Sequence, residues 1–121
     1  MSEQIKDGPF KVYYDNGQLK EEGTYKDGEL DGPFKVYYDN GQLSYEGTYN
    51  NGKKDGPYKF YWENGQLKEQ GMFNEDSKRW GPYTIYYENG QLKCSGNYKN
   101  GDLHGVVEVY DEYGNWFSKV L

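Results

Sequence analysis

The chain has 121 residues, enough for one domain, with a formal net charge of −6 and a single cysteine, Cys94. The lone cysteine excludes an intrachain disulfide scaffold. The acidic balance argues against a nucleic-acid or anionic-membrane partner, since both need positive charge facing phosphates, and it suits a basic protein partner. Hydrophobic residues at 34% would suggest disorder, but 19% are aromatic, with 15 Tyr. Tyr supplies apolar area with a polar tip, so the composition predicts a shallow, aromatic-rich packing surface.

Before Gly8 there is no apolar h-region, and no apolar run approaches membrane-spanning length. The expectation is a soluble, cytoplasmic protein. From Gly8 the sequence repeats with a period of 24 residues. Copies run 8–31, 32–55, 56–80 and 81–104, with a shortened fifth at 105–121, so one repeat domain covers 1–121. The third copy carries an extra residue near Asp76 and Ser77 and lacks the glycine found at Gly28, Gly52 and Gly101. Its loop is expected to differ in shape.

Each copy reads as two strands. Phe10-Lys11-Val12-Tyr13-Tyr14 is β-branched and aromatic with no helical period. Asn16-Gly17 follows, a hairpin signal because both residues tolerate the positive φ of a type I′ turn. A second strand, about 18–25, leads into a loop from Gly28 to Gly32, and Pro33 opens the next copy. Asn-Gly recurs at 40–41, 64–65 and 89–90, with Tyr113-Gly114 in the last copy. The result is an all-β fold: an elongated, twisted, single antiparallel meander of about ten strands, on the order of 45 Å long. Each copy would touch only its neighbours.

A two-residue turn at Asn16-Gly17 places Lys11 opposite Glu22. The equivalent pairs are Lys35–Glu46, Lys59–Gln70, Thr84–Ser95 and Glu108–Lys119. The charge pair is kept, weakened, neutralised and finally reversed, as cross-strand charge preference requires. A three-residue loop would pair Lys11 with Glu21 and Lys35 with Tyr45, so the two-residue turn is predicted. Alternation then puts Phe10, Val12, Tyr14, Leu19, Gly23 and Tyr25 on a packing face, where the glycine leaves room for a ring. The opposite face carries Lys11, Lys20, Glu22 and Thr24, plus a column of Tyr13, Tyr37, Tyr61, Tyr86 and Tyr110. Stacked tyrosines stabilise neighbouring strands, and rigid tyrosines also make contact anchors; the two roles are compatible. These five are the candidate partner-binding residues.

The run Gly23-Thr24-Tyr25-Lys26-Asp27-Gly28, followed by an aromatic strand and Asn-Gly, resembles the MORN repeat. The segment Tyr-Tyr-Asp-Asn-Gly-Gln-Leu looks more like its bacterial variant, seen in the YwqK family of antitoxin-like proteins. The resemblance covers nearly the whole chain. It implies an elongated meander of β-hairpins that binds or scaffolds proteins, in bacteria an immunity or antitoxin protein neutralising a partner toxin. The first two copies are nearly identical, so a structural scaffold or an engineered repeat protein without a specific ligand is the alternative.

No residue pattern supports an enzyme. His104, the single histidine, precedes a repeat glycine where the sibling copies have Asp31 and Asp55, and reads as a turn residue. A zinc site lacks ligands. Cys94 has no adjacent base in the pattern and reads as a buried or half-exposed thiol. Acidic residues such as Asp15, Asp39, Glu63 and Glu88 fall at turns, without calcium-loop spacing. No cofactor or metal is expected. Trp116 and Val120, replacing the repeat's leucine and glycine, read as a cap; unpaired outer edges invite end-to-end self-association unless charge or twist blocks it.

Overall fold

A computed structural model describes the backbone of residues 7–120, and the side chains of that span except Val106 and 117–120. Ten strands follow one another in chain order across a single antiparallel sheet. These are β1 Gly8–Tyr13, β2 Leu19–Lys26, β4 Gly32–Tyr37, β5 Leu43–Asn50, β7 Gly56–Tyr61, β8 Leu67–Phe73, β9 Gly81–Tyr86, β10 Leu92–Lys99, β11 Asp102–Tyr110 and β12 Trp116–Val120. Two short additions, β3 Glu29–Leu30 and β6 Lys53–Lys54, pair back onto β2 and β5. The all-β open meander expected from the repeat is what forms.

The predicted pairs Lys11↔Glu22, Lys35↔Glu46, Lys59↔Gln70 and Thr84↔Ser95 are all present. The predicted turn is not. The Tyr14 amide donates to the Gln18 carbonyl (2.8 Å) and the Gly17 amide to the Tyr14 carbonyl (3.0 Å). Gly17 has φ 87, whereas Asn16 is not among the residues with positive φ. This is a three-residue loop, a type I turn closed by a left-handed glycine. Such a loop alone shifts the register by one. A β-bulge shifts it back: Tyr13 pairs with Leu19 and Val12 with Glu21, leaving Lys20 as the extra residue. Ser44, Lys68 and Lys93 are the extra residues in the next three hairpins.

The fifth hairpin has the loop but not the bulge, so Glu108 faces Ser118 and Lys119 faces Val107. The expected Glu108–Lys119 charge reversal is therefore not formed. Left-handed residue pairs of the type I′ kind sit at the other turn, at Asp27-Gly28, Asn51-Gly52 and Asn100-Gly101. In the third copy the extra residue converts that turn into a three-residue loop in which Ser77 (φ 61) takes the left-handed position. The Ser77 hydroxyl donates to the Lys54 carbonyl (3.0 Å), tying this loop to the preceding copy. The expected difference in loop shape is thus observed.

Within the first four copies six residue pairs join the two strands, but adjacent copies meet through only two, as in Glu21↔Val36 and Glu22↔Lys35. At these seams Pro33, Pro57 and Pro82 have no amide to add to the ladder. Two of these seams open beside a proline into a notch: one of about 330 Å³ between Thr48 and Pro57, another of about 340 Å³ between Met72 and Pro82. The fifth copy has Val106 instead of proline, yet it too meets the fourth through two pairs, Cys94↔Val109 and Ser95↔Glu108; the remaining pairs of β11 fold back within the fourth copy, as β3 and β6 do in theirs.

One face of the sheet packs on itself. Tyr45, Tyr58, Phe73, Tyr83 and Val107 are buried, with Phe34, Val36 and Phe60 against the central cluster. Rings contact across copies, as in Tyr45–Phe60 at 4.7 Å between centroids and Phe10–Phe34 at 6.5 Å. The glycine column makes this possible. A Cβ at Gly71 would lie 2.8 Å from the Tyr58 hydroxyl, and one at Gly23 2.8 Å from the Phe34 ring. The leucine column assigned to this face is not on it: Leu19 is the partner of Tyr13, so the bulge carries it to the tyrosine side.

Candidate interaction surface

The tyrosine side is built on a row that crosses the sheet: Lys11, Glu22, Lys35, Glu46, Lys59, Gln70, Thr84, Ser95, Glu108. Opposite charges alternate through the first two and a half copies, across seams as well as within hairpins. Beside it run Tyr13, Tyr37, Tyr61, Tyr86 and Tyr110, paired with Leu19, Leu43, Leu67, Leu92 and Trp116. The five predicted residues therefore share one face. Tyr37 donates to the Glu22 carboxylate (3.1 Å) and Tyr61 to that of Glu46 (2.8 Å), each reaching back into the preceding copy. Burial, reinforced by Glu46, pushes the Tyr61 phenol up to about 12. Tyr13, on the outermost strand, is 57% exposed.

The hairpin-turn edge carries two hydrogen-bond ladders that each link one copy to the next. Tyr14, Tyr38, Trp62 and Tyr87 donate to the carbonyls of Tyr37, Tyr61, Tyr86 and Tyr110. Asn16, Asn40, Asn64 and Asn89 donate through Nδ2 to the carbonyls of Asp39, Glu63, Glu88 and Glu112. The bulge lysines lie over the same aromatic series: Lys68 sits 4.6 Å from the Trp62 ring, Lys20 5.6 Å from Tyr14 and Lys93 5.7 Å from Tyr87. Asp15, Asp39, Glu63, Glu88 and Glu112 form an exposed acidic row along this edge.

The packing face holds a polar group that the repeat pattern did not disclose. Arg79, the chain's single arginine, occupies the position of Leu30, Lys54 and Leu103, inside the irregular third loop. Its Nε donates to the Tyr58 hydroxyl (3.1 Å) and lies 3.3 Å from the Glu69 carboxylate, which also accepts from Tyr58. The guanidinium covers the rings of Tyr58, Phe73 and Tyr98 at 5.6 to 5.9 Å. Burial opposes its charge, but Tyr58 and Glu69 outweigh that, and its pKa is raised. Cys94 stands in the same column as Glu69; burial pushes its thiol up, away from reactivity. The sequence signal was present: one arginine, in the one loop that broke the repeat. Arg79→Ala is expected to lower stability by about 1–2 kcal/mol, since Glu69 keeps its burial and loses its cation. Arg79→Lys should recover part of this by stacking alone. Chemical denaturation of the three proteins checks the order.

No curated protein sequence matches this chain. Among solved structures that resemble it is one titled "Crystal structure of GtfA/B complex bound to UDP and GlcNAc", at 15% identity and a TM-score of 0.35, over 97% of this chain and 23% of that one. A likeness at that level carries nothing about function. The family model described as the MORN repeat variant matches residues 6–27, 30–51, 54–75 and 81–100, skipping the remainder of the irregular loop. With most of its length covered by four matched repeats, the chain belongs to the MORN repeat variant family.

Proposed function

We propose that this chain is a non-enzymatic, protein-binding repeat array, in its most concrete form a cytoplasmic immunity or antitoxin protein that lays its tyrosine face over a basic toxin and occludes that toxin's active site. The observation that carries this reading is the fixed tyrosine column. Tyr37 and Tyr61 are held by Glu22 and Glu46, so little rotamer entropy remains to be lost on contact. The aromatic residues of the other face are occupied with one another, which leaves the tyrosine side as the flat, rigid surface. The acidic turn row flanks it and would steer a basic partner.

Co-purification of the full chain with the product of the adjacent gene tests this. Complex formation is expected, with affinity falling at least tenfold in Tyr37→Ala/Tyr61→Ala and falling with added salt. An unchanged affinity in the double variant would remove the tyrosine face from the interface. Salt-independent binding would remove steering by charge. A structural scaffold without a ligand remains the competing reading, favoured if neither the adjacent product nor any neighbouring one binds.

A further inference from the structure

The two donor ladders give the array a direction. Each copy from the first to the fourth reaches forward with an aromatic hydroxyl or indole N–H and an asparagine amide, and the next copy receives them on two carbonyls. The first copy has the same two acceptors, the carbonyls of Tyr13 at the end of β1 and of Asp15 in the turn that follows. Among the described residues no strand pairs with the outer edge of β1. The fifth copy has neither donor. Asp111 stands where Tyr87 does, and Tyr113 where Asn89 does. Asp111 is turned inward on its own loop, accepting from the amides of Tyr113 and Asn115 (both 2.9 Å) and from the Asn115 side chain (2.8 Å). Tyr113 points into solvent, 82% exposed. The missing bulge also offsets β12 from the register in which the earlier second strands meet a following copy.

We infer that the array has a receiving end and a closed end: the outer edge of β1 takes the last hairpin of another MORN-variant array that keeps both donors, and the fifth copy of this chain is shaped so that it cannot serve as that hairpin. The donors, not the exposed edge alone, set the occupant. A second copy of this chain offers Asp111 and Tyr113 at the turn, and a carboxylate set against the Tyr13 and Asp15 carbonyls repels rather than donates. An aromatic–acid–Asn–Gly turn from another array supplies both hydrogen bonds. This inference stands apart from the tyrosine-face reading, because it concerns an edge and uses none of the five tyrosine side chains.

The test restores the donors in the full chain. Near the turn the fifth hairpin keeps the register of the others, Tyr110↔Trp116 matching Tyr13↔Leu19, so Asp111→Tyr and Tyr113→Asn place both groups correctly. In sedimentation velocity the wild type is expected to remain monomeric. The double variant should form concentration-dependent head-to-tail oligomers, association tightening on the order of ten- to a hundredfold for two added hydrogen bonds. Excess wild type should shorten those oligomers, because it receives and does not donate. Amide exchange in Gly8–Tyr13 should slow on association. The inference is overturned if the double variant, with a wild-type circular dichroism spectrum, stays monomeric, if the wild type associates equally, or if oligomers form with β1 exchange unchanged. Should the double variant not fold, Asp111→Tyr and Tyr113→Asn singly carry the same test, each expected to associate partway and each overturning the inference by remaining monomeric.

Discussion

Gly71→Ala is expected to lower stability by roughly 2–3 kcal/mol. The new Cβ would lie 2.8 Å from the Tyr58 hydroxyl and 3.0 Å from two ring carbons. Tyr58 is the most completely buried side chain among the described residues, 2% exposed. Its ring packs on Phe60 and Phe73, and its hydroxyl is held by Glu69 and Arg79, so it has nowhere to retreat. Gly23→Ala is the comparison. It meets the rings of Phe10 and Phe34 at similar distances, but in the outermost copy, where the neighbours yield more readily. Urea unfolding should show a clearly smaller loss for Gly23→Ala. Equal losses would mean that the glycine column acts through backbone preference and not through the ring above it.

The second large effect is alkaline unfolding. Burial pushes the phenols of Tyr45 and Tyr83 up to about 12, and that of Tyr61 likewise with help from Glu46. These groups hold their protons more tightly folded than unfolded, where tyrosine titrates near 10. Their contribution is therefore complete below pH 10 and is lost as pH rises through 12. Tyr45 and Tyr83 alone, with their shifts discounted by half, amount to roughly 3 kcal/mol. Stability should be level across neutral pH as far as these phenols decide it and fall steeply between pH 10 and 12. Tyr45→Phe should make that fall shallower. A curve equally steep in Tyr45→Phe would locate the alkaline sensitivity elsewhere.

Much of this fold was legible because the repeat multiplies weak signals. Alternation placed Phe10, Val12, Gly23 and Tyr25 on one face correctly, and charge pairing identified four of five cross-strand partners. The turn was misread for a specific reason. Asn-Gly fits both a two-residue type I′ turn and the end of a three-residue loop, and a bulge at Lys20 makes the two indistinguishable beyond the first pair. Only the pairs next to the turn differ, and there Leu19 changes sides. The fifth hairpin exposed the error, since it keeps the loop without the bulge. The forward-reaching roles of Tyr14 and Asn16 were hidden because a repeat makes constant residues look alike, whether they serve their own copy or the next. The tyrosine column was legible as a column, and its anchoring by Glu22 and Glu46 required knowing which strands adjoin.

The proline notches give the sheet an uneven mechanical character. Each of the first four hairpins is a plate zipped by six pairs, and neighbouring plates join through two pairs, the turn-edge hydrogen bonds on one side and bonds such as the Gly52 amide to the Leu30 carbonyl on the other. Bending or shear applied to the molecule will therefore concentrate at the seams between hairpins, which behave as compliant joints tied at both edges. The seam before the fifth copy is crossed by the same number of pairs, Cys94↔Val109 and Ser95↔Glu108. Under load the ribbon would flex at its seams and move each hairpin as one rigid piece.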